Sequence, residues 1–384
     1  MTKKRICFDG QVFMDEAVTG VGAVAIETLR EVEKDDRFAY CVQAFALGRS
    51  KEELGRLQRS GLGPDQIELC RWYHRGLYVR SWRWFPVPYS IFFPQKADIH
   101  VFWNYDVPPG VKGKKVVYVH DMTCAACPET MDDTVRRLLN QNLKDTCRRA
   151  DAIIAVSDYT KQEIIRYLDI SAEKVHVIPN GINHDVFFPD ESMRNHSSLH
   201  AQYGLSGEYF LYLGTIEPRK NIVLLLDAYA KLLRSLGDQC PQLVLAGKKG
   251  WNLQEIEERM ADKIFEGHLV TTDYVPTDEV PQLMRGALAF VFPSVYEGFG
   301  LPPLEAMACG TPVIVSDRAS LPEVVGEAGL VVPVDTPDAL ANAMQRLVEE
   351  PDLRAALSQK GIERAKAFTW KQAAQKLLEI CDNM

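Results

Sequence analysis

The 384-residue chain has no apolar run long enough to cross a bilayer as a helix, which takes about 20 residues. Its start, Met1-Thr2-Lys3-Lys4-Arg5-Ile6, turns polar too early for a secretory signal, so a cytoplasmic protein is expected. The nine cysteines are odd in number and scattered, which argues against a disulfide framework and for a reducing compartment. Cys124 and Cys127 form a lone C-x-x-C with no second pair nearby, and small loop residues fit better than a zinc or redox site. Solenoid repeats and low-complexity tracts are missing. So is any basic stripe: 44 Lys and Arg face 52 Asp and Glu, a formal net charge of −8, which excludes nucleic acid as a partner.

What is present suits a globular chain of two domains, with 46% hydrophobic residues and 25% charged. Residues 1–200 hold 27 basic and 27 acidic side chains, so the whole net charge sits in the second half. Asp185 to Gly207 is poor in apolar residues, with Pro189, Ser192, Asn195, His196, Ser197 and Ser198, and places a linker at 191–207. A first domain is expected over 1–190, a second over 208–365, and a last helix over 366–384. Both halves alternate strand and helix, the pattern of two doubly wound α/β domains. Strands are expected at Arg5 to Phe8, Ala39 to Ala46, Ile99 to Trp103, Val116 to Val119 and Ala152 to Val156. The second half offers Tyr209 to Leu213, Gln242 to Leu245, His268 to Thr271, Leu288 to Phe292 and Val313 to Val315. Ligands of such sheets bind outside the carboxyl ends of the strands, here in a cleft between the domains.

The most informative stretch is Ser294-Val295-Tyr296-Glu297-Gly298-Phe299-Gly300-Leu301-Pro302-Pro303-Leu304-Glu305. It follows an apolar run and precedes a helical segment, expected from Leu304, that Gly310 and Pro312 end. A glycine loop at a helix start gathers backbone N–H groups where the helix dipole is positive, which makes an anion site. Pro302 and Pro303 donate nothing, so Gly298 to Leu301 and Leu304 must supply the amides. Glu297 and Glu305 cannot hold the anion; they accept from hydroxyls, and phosphate with hydroxyls means a nucleotide sugar. A second loop, Gly214-Thr215-Ile216-Glu217-Pro218-Arg219-Lys220-Asn221, follows another strand and precedes a helix from Ile222 with Asn221 as cap. Arg219 and Lys220 there can neutralise the charge that develops on a departing diphosphate.

Glu297 and Glu305, with seven residues between them that include Gly298-Phe299-Gly300-Leu301, resemble the signature of retaining glycosyltransferases of the GT-B fold, family 4. The resemblance implies two Rossmann-like domains facing each other across a cleft. It implies Glu305 on the donor ribose, Glu297 near the transferred sugar, loop amides on sugar and diphosphate, and Arg219 with Lys220 on the phosphates. Many relatives carry another arginine where this chain has Thr215. No Asp-X-Asp occurs, the carboxylate pair with which glycosyltransferases that use a divalent ion commonly hold it, so neither a metal nor another cofactor is expected. The last helix, roughly Trp370 to Ile380, would cross back onto the first domain. His120, in Tyr118-Val119-His120-Asp121, resembles the family's cleft histidine on the donor sugar; Asp121 either orients the ring or caps Thr123. Gly22, before a helical run Ala23 to Val32, would let backbone approach the donor phosphate. Gly20, Gly22 and Ala25 imitate a dinucleotide fingerprint, but the preceding strand ends too early and the next lacks the acid an NAD enzyme needs. Backbone near Val275 would lie beside the base, and Thr215 and Ser294 join the donor-binding set.

Arg71 to Lys96 contains four arginines, one lysine, Trp72, Trp82 and Trp84, and no acid. That composition suits either a peripheral contact with the inner face of the plasma membrane or a helix packing its aromatics inward. The function expected is a metal-independent, retaining hexosyl transfer to a glycan or lipid-linked glycan of a cell-surface polysaccharide. The second loop looks most like bacterial mannosyltransferases using GDP-mannose; UDP-glucose, UDP-galactose or an amino-sugar donor remains open. A sugar-nucleotide epimerase, a pyridoxal-dependent glycan phosphorylase or a non-catalytic binding protein are readings from other classes. No carboxylate nucleophile is evident, so a front-face substitution is expected, in which Lys220→Ala removes transfer and leaves the fold intact.

Overall fold

The computed structural model describes residues 3–16, 18–82, 85, 87–131, 133–190 and 201–384. It divides into two compact units: Met1–Ala126, Asp133–Gly181 and Trp370–Met384 form the first, Cys127–Asp132 and Ile182–Thr369 the second. Residues 182–190 and 366–369, expected elsewhere, thus lie in the second unit. The linker expected at 191–207 falls partly outside the described residues. Its end belongs to the second unit, where Tyr203 Oη donates to Glu279 and the Ser206 N–H donates to Gln242 Oε1 at 2.8 Å.

The first unit is built on seven parallel strands: β1 (Arg5–Asp9), β2 (Ala39–Phe45), β3 (Ile67–Cys70), β4 (Ile99–Phe102), β5 (Lys114–Val119), β6 (Ala152–Ala155) and β7 (Val175–Val177), in the order β3-β2-β1-β4-β5-β6-β7. The second has six, β8 (Tyr209–Leu213), β9 (Gln242–Ala246), β10 (Leu269–Thr272), β11 (Ala289–Phe292), β12 (Val313–Ser316) and β13 (Leu330–Val332), in the order β10-β9-β8-β11-β12-β13. All ten strands expected from the sequence are present. The three that were not expected, β3, β7 and β13, are short edge strands. Each spans only three or four residues, and β3 and β7 are interrupted by Glu68 and His176, so they give little pattern to read. The central strands are buried on both faces, and Phe210, Leu211, Tyr212, Phe290, Val291 and Phe292 are essentially inaccessible.

Helix starts differ from expectation where a side chain or proline captures the first turn. The helix Gly20–Val32 begins three residues early because Thr19 Oγ1 accepts the Gly22 N–H at 3.1 Å. Gly22 therefore lies inside the first turn, with its N–H engaged. The helix Leu301–Ala308 also starts three residues early, since Pro302 and Pro303 are pre-set for helical φ. Asn221 stands before the helix Ile222–Leu236 in left-handed conformation (φ 57°), and its side chain makes no cap bond. The helix Trp370–Asp382 packs against Gly20–Val32 within the first unit.

In the 71–96 segment, Tyr78, Tyr89, Phe92 and Phe93 form an aromatic cluster with Phe45, and Trp82 packs against it. Trp72 stacks on Phe92 yet stays exposed, as do Leu77, Phe85 and Ile91. Trp84 lies outside the described residues. All nine cysteines are free thiols, with Cys124 buried and Cys127 half-buried.

Candidate active site

In the second unit, β8 leads through β9 to one edge of the sheet and β11 through β12 to the other. The carboxyl ends of β8 and β11 are therefore the topological switch point, where a doubly wound sheet opens a crevice. Both loops singled out in the sequence leave the sheet there. Gly214 has φ 153° and its N–H donates to Ala246 O at 2.9 Å. A Cβ on the neighbouring Gly247 would come within 2.0 Å of the Gly214 carbonyl oxygen, so these two backbones meet only as glycines. Tyr212 Oη holds the exposed Thr215 by its carbonyl at 3.0 Å.

Pro218–Lys220 forms a single 3-10 turn that presents both cations to the second loop. Arg219 Nη1 donates to Tyr296 O at 2.8 Å, and the Val295 N–H donates back to Arg219 O at 2.9 Å. Glu297 accepts from both cations, with Oε1 2.5 Å from Lys220 Nζ and Oε2 3.1 Å from Arg219 Nη1. Arg219 also pairs with the buried Glu217 at 2.7 Å. Lys220 Nζ lies 4.9 Å above the Phe292 ring. Burial pushes the Glu297 carboxyl up, but Arg219 and Lys220 outweigh it and hold the group at about 2; the Ser294 hydroxyl beside it adds to the effect. Burial lowers the Lys220 ammonium, against the pull of Glu297. The structure thus joins Arg219, Lys220 and Glu297, read from the sequence as belonging to two separate loops, in one ionised cluster.

Ser320 Oγ donates to the Glu297 and Phe299 carbonyls at 2.9 and 2.8 Å, and Ser316 Oγ to the Ser294 carbonyl at 2.6 Å. Gly300 (φ 106°) turns the chain into the helix; a Cβ there would meet Leu321 Cδ2 at 2.7 Å. The amides of Gly300 and Leu301 have no partner among the described residues and stand at the positive end of the helix. Leu304, expected to donate outward, is instead the fourth helical residue, within the reach of the Gly300 carbonyl that the helical pattern assigns it. The Phe299 ring points away and packs edge-on against Phe368 at 5.9 Å. Glu305 sits one turn in, without a described partner, and burial raises its carboxyl to about 7. Val275 is buried in the loop after β10, beside the exposed Tyr274.

The sequence reading missed Glu217, Ser316, Ser320 and Gly247. Glu217 was legible, since it lies in the Arg219 loop itself. The two serines show no pattern until the strands are adjacent.

In the first unit, His120 follows β5. Its Nε2 lies 2.7 Å from the Trp103 carbonyl, and its ring stacks on Tyr118. A carbonyl only accepts, so Nε2 carries the proton and Nδ1 is left as an acceptor. Burial lowers the His120 pKa and keeps the ring neutral. Asp121 caps rather than orients: its Oδ1 accepts the Thr123 N–H at 2.9 Å.

Comparison with known proteins agrees with this architecture. The model for glycosyl transferases group 1 matches residues 199–364, and that for glycosyltransferase family 4 matches residues 18–186. The O-antigen chain mannosyltransferase B of Escherichia coli is 35% identical over 276 residues, 72% of this chain and 71% of that protein. The serotype-specific mannosyltransferase WbdA of Escherichia coli is 34% identical over 70% of this chain, which spans 33% of WbdA. Among solved structures, Anabaena HepE in complex with UDP and glucose matches with TM-score 0.75 and 19% identity, over 99% of this chain and 100% of that one. WaaG, a glycosyltransferase involved in lipopolysaccharide biosynthesis, matches with TM-score 0.72 and 16% identity, over 98% and 99%. Two Rossmann-like units with these neighbours are the GT-B fold. The chain belongs to glycosyltransferase family 4 and is a glycosyltransferase.

Proposed function

We propose that this glycosyltransferase moves a mannosyl group from GDP-mannose to a glycan or lipid-linked glycan, with retention and without a metal ion. The observation that carries the reading is the Arg219–Lys220–Glu297 cluster set beside the Gly300 and Leu301 amides, which have no partner among the described residues, at the β8/β11 switch point. The amides and the two cations would take the diphosphate. Glu305 would accept from the ribose, and backbone near Val275 would lie beside the base. Glu297 and the acceptor nitrogen of His120 would position sugar hydroxyls, and Gly22, Thr215 and Ser294 complete the set assigned to the donor. In a front-face substitution the acceptor oxygen bonds to the anomeric carbon as its bond to the phosphate oxygen breaks. The acceptor proton passes to the departing phosphate, and the cations bear the charge that develops there.

Mannose is supported by the mannosyltransferase relatives; a UDP-sugar is the competing donor, since HepE is described with UDP and glucose. A thermal-shift panel of GDP-mannose, UDP-glucose and UDP-galactose, with GDP, UDP and ADP, tests this, because a ligand of the folded form raises the melting temperature by mass action. Stabilisation by GDP and GDP-mannose alone is expected; a shift with UDP compounds alone would refute the donor assignment.

A lipid-linked acceptor and a peripheral membrane position suit the 71–96 face. Arg71, Trp72, Leu77, Arg80, Phe85 and Ile91 are exposed there, with no acid in the segment. Flotation with anionic but not neutral phosphatidylcholine vesicles is expected.

A further inference from the structure

The first unit has a switch point of its own, between the carboxyl ends of β1 and β4, and the donor reading leaves its side chains unused. β1 ends at Asp9. Gly10 turns the chain with its N–H on Gln43 O at 2.8 Å, and a Cβ at this position would come within 2.6 Å of Val42 Cγ1. The turn swings Gln11 inward at the start of the 3-10 segment Gln11–Phe13. Gln11 is 8% exposed, and neither its Oε1 nor its Nε2 has a hydrogen-bond partner among the described residues. Buried side-chain amides are normally paired, because leaving one unmade forfeits its bonds to water.

Gln11 lines a crevice with Asp9 from the end of β1, Asp106 from the loop after β4, and Arg75. Arg75 Nη2 is 3.1 Å from Asp106 Oδ2, so its charge is matched. Asp9 Oδ1 accepts the Gln11 backbone N–H at 3.3 Å. Phe45, Tyr78, Trp82 and Tyr89 supply the apolar wall. The enclosed volume is ≈ 20 Å³, room for one hydroxyl-sized group rather than for a whole ring.

Two carboxylates that accept, an amide that donates and accepts, a guanidinium that donates and an aromatic wall together complement a polyol. They do not complement a second phosphate, since the carboxylates would repel it and Arg75, the one cation among the described residues that line the crevice, is already paired. We infer that this crevice is a subsite for the acceptor sugar, in which one hydroxyl or hydroxymethyl group of a neutral hexose ring reaches Gln11 while the ring edge rests at the Asp9, Arg75 and Asp106 rim. The inference rests on the glycosyltransferase reading and names the acceptor end of the same reaction. Gln11 is a binding and positioning residue here; it touches no reacting atom.

The test uses the full chain with methyl α-mannoside and an α-linked mannobiose as acceptors, and Gln11→Leu and Asp106→Asn as variants. Gln11→Leu keeps the volume and removes both polar atoms. A purely structural Gln11 would make that change neutral or stabilising with no kinetic effect. The subsite predicts a rise of about tenfold or more in acceptor KM for Gln11→Leu, the loss of a hydrogen bond to a buried group. Melting temperature should be unchanged or higher and the Kd for the sugar nucleotide unchanged. Asp106→Asn, which keeps the shape of the rim, should raise the same KM. Wild-type acceptor KM in both variants would overturn the subsite while leaving the glycosyltransferase reading intact. If the wild type transfers from no sugar nucleotide, that reading has failed, and the subsite is then judged by NMR titration with mannobiose. Saturable binding lost in Gln11→Leu supports it; binding retained in the variant, or none to the wild type, overturns it.

Discussion

Glu305→Gln should do two opposite things, and the structure sets the size of each. The Glu305 carboxyl has no described partner, and burial raises it from 4.5 to about 7. A folded pKa above the unfolded one means that the native chain binds the extra proton between those values. The stability this confers is full below pH 4.5 and is lost as the pH rises through 7. At about 1.4 kcal/mol per unit, the cost of keeping this carboxylate charged in the unliganded chain reaches ~3 kcal/mol at pH 8. The neutral isostere removes that cost. Unliganded Glu305→Gln should therefore be more stable than wild type at pH 8, by up to ~3 kcal/mol, and nearly equal to it at pH 4.5.

Donor binding should move the other way. Ribose hydroxyls donate to an ionised carboxylate, so the charged form is the binding form. Wild-type Kd for the sugar nucleotide should fall with rising pH, approaching tenfold per unit below 7, and level off above it. Losing charge-assisted hydrogen bonds worth about 1.5–3 kcal/mol weakens binding by roughly 10- to 150-fold at pH 8 and removes the pH dependence below 7. Calorimetric titration with a nucleoside diphosphate sugar, whose phosphates have no secondary ionisation, reads this arm, and urea unfolding across pH 4.5–8 reads the other. A Glu305→Gln protein that binds the donor like wild type at pH 8 would refute the ribose assignment. One that gains no stability at pH 8 would refute the burial argument.

Lys220→Ala, expected from sequence to spare the fold, removes one of two cations from a carboxylate that is only 12% exposed. It should abolish transfer and also cost about 3 kcal/mol or more, the penalty for breaking a buried pair; an active variant with wild-type melting temperature would contradict both statements. Glu297, held at about 2, contributes stability that is present above pH 4.5 and lost as the pH falls toward 2. Lys220→Ala should shift that loss to higher pH, which an acid-unfolding series would show. Gly247→Ala should cost about 2 kcal/mol or more, since its Cβ would sit 2.0 Å from a carbonyl oxygen and its φ of 143° is a glycine conformation. It should also weaken donor binding through the displaced Gly214–Thr215 turn, although no donor contact is assigned to Gly247; wild-type donor affinity would show that the two turns are not coupled.

What was legible in the sequence follows from the range over which each feature is encoded. The two site loops could be read because their chemistry is local. Glycines, prolines and a following helix declare an anion site within a dozen residues, and the central strands declare themselves as apolar runs. Lys220 and Glu297 are 77 residues apart, and nothing in either loop shows that they pair. Their meeting depends on β8 and β11 being neighbours, which alternation of strand and helix does not specify, because several strand orders satisfy it. The Gln11 crevice escaped for the same reason, its members coming from positions 9, 11, 75 and 106. Helix starts failed differently. Local rules compete there, and the Thr19 hydroxyl draws Gly20 and Gly22 into the helix that the apolar pattern starts only at Ala23. The difference at Leu304 thus concerns which amides are free, and in a site made of backbone donors that is the property that matters. Motif spacing locates such a site, whereas the donors left to bind an anion are known only when each N–H has been traced to its acceptor.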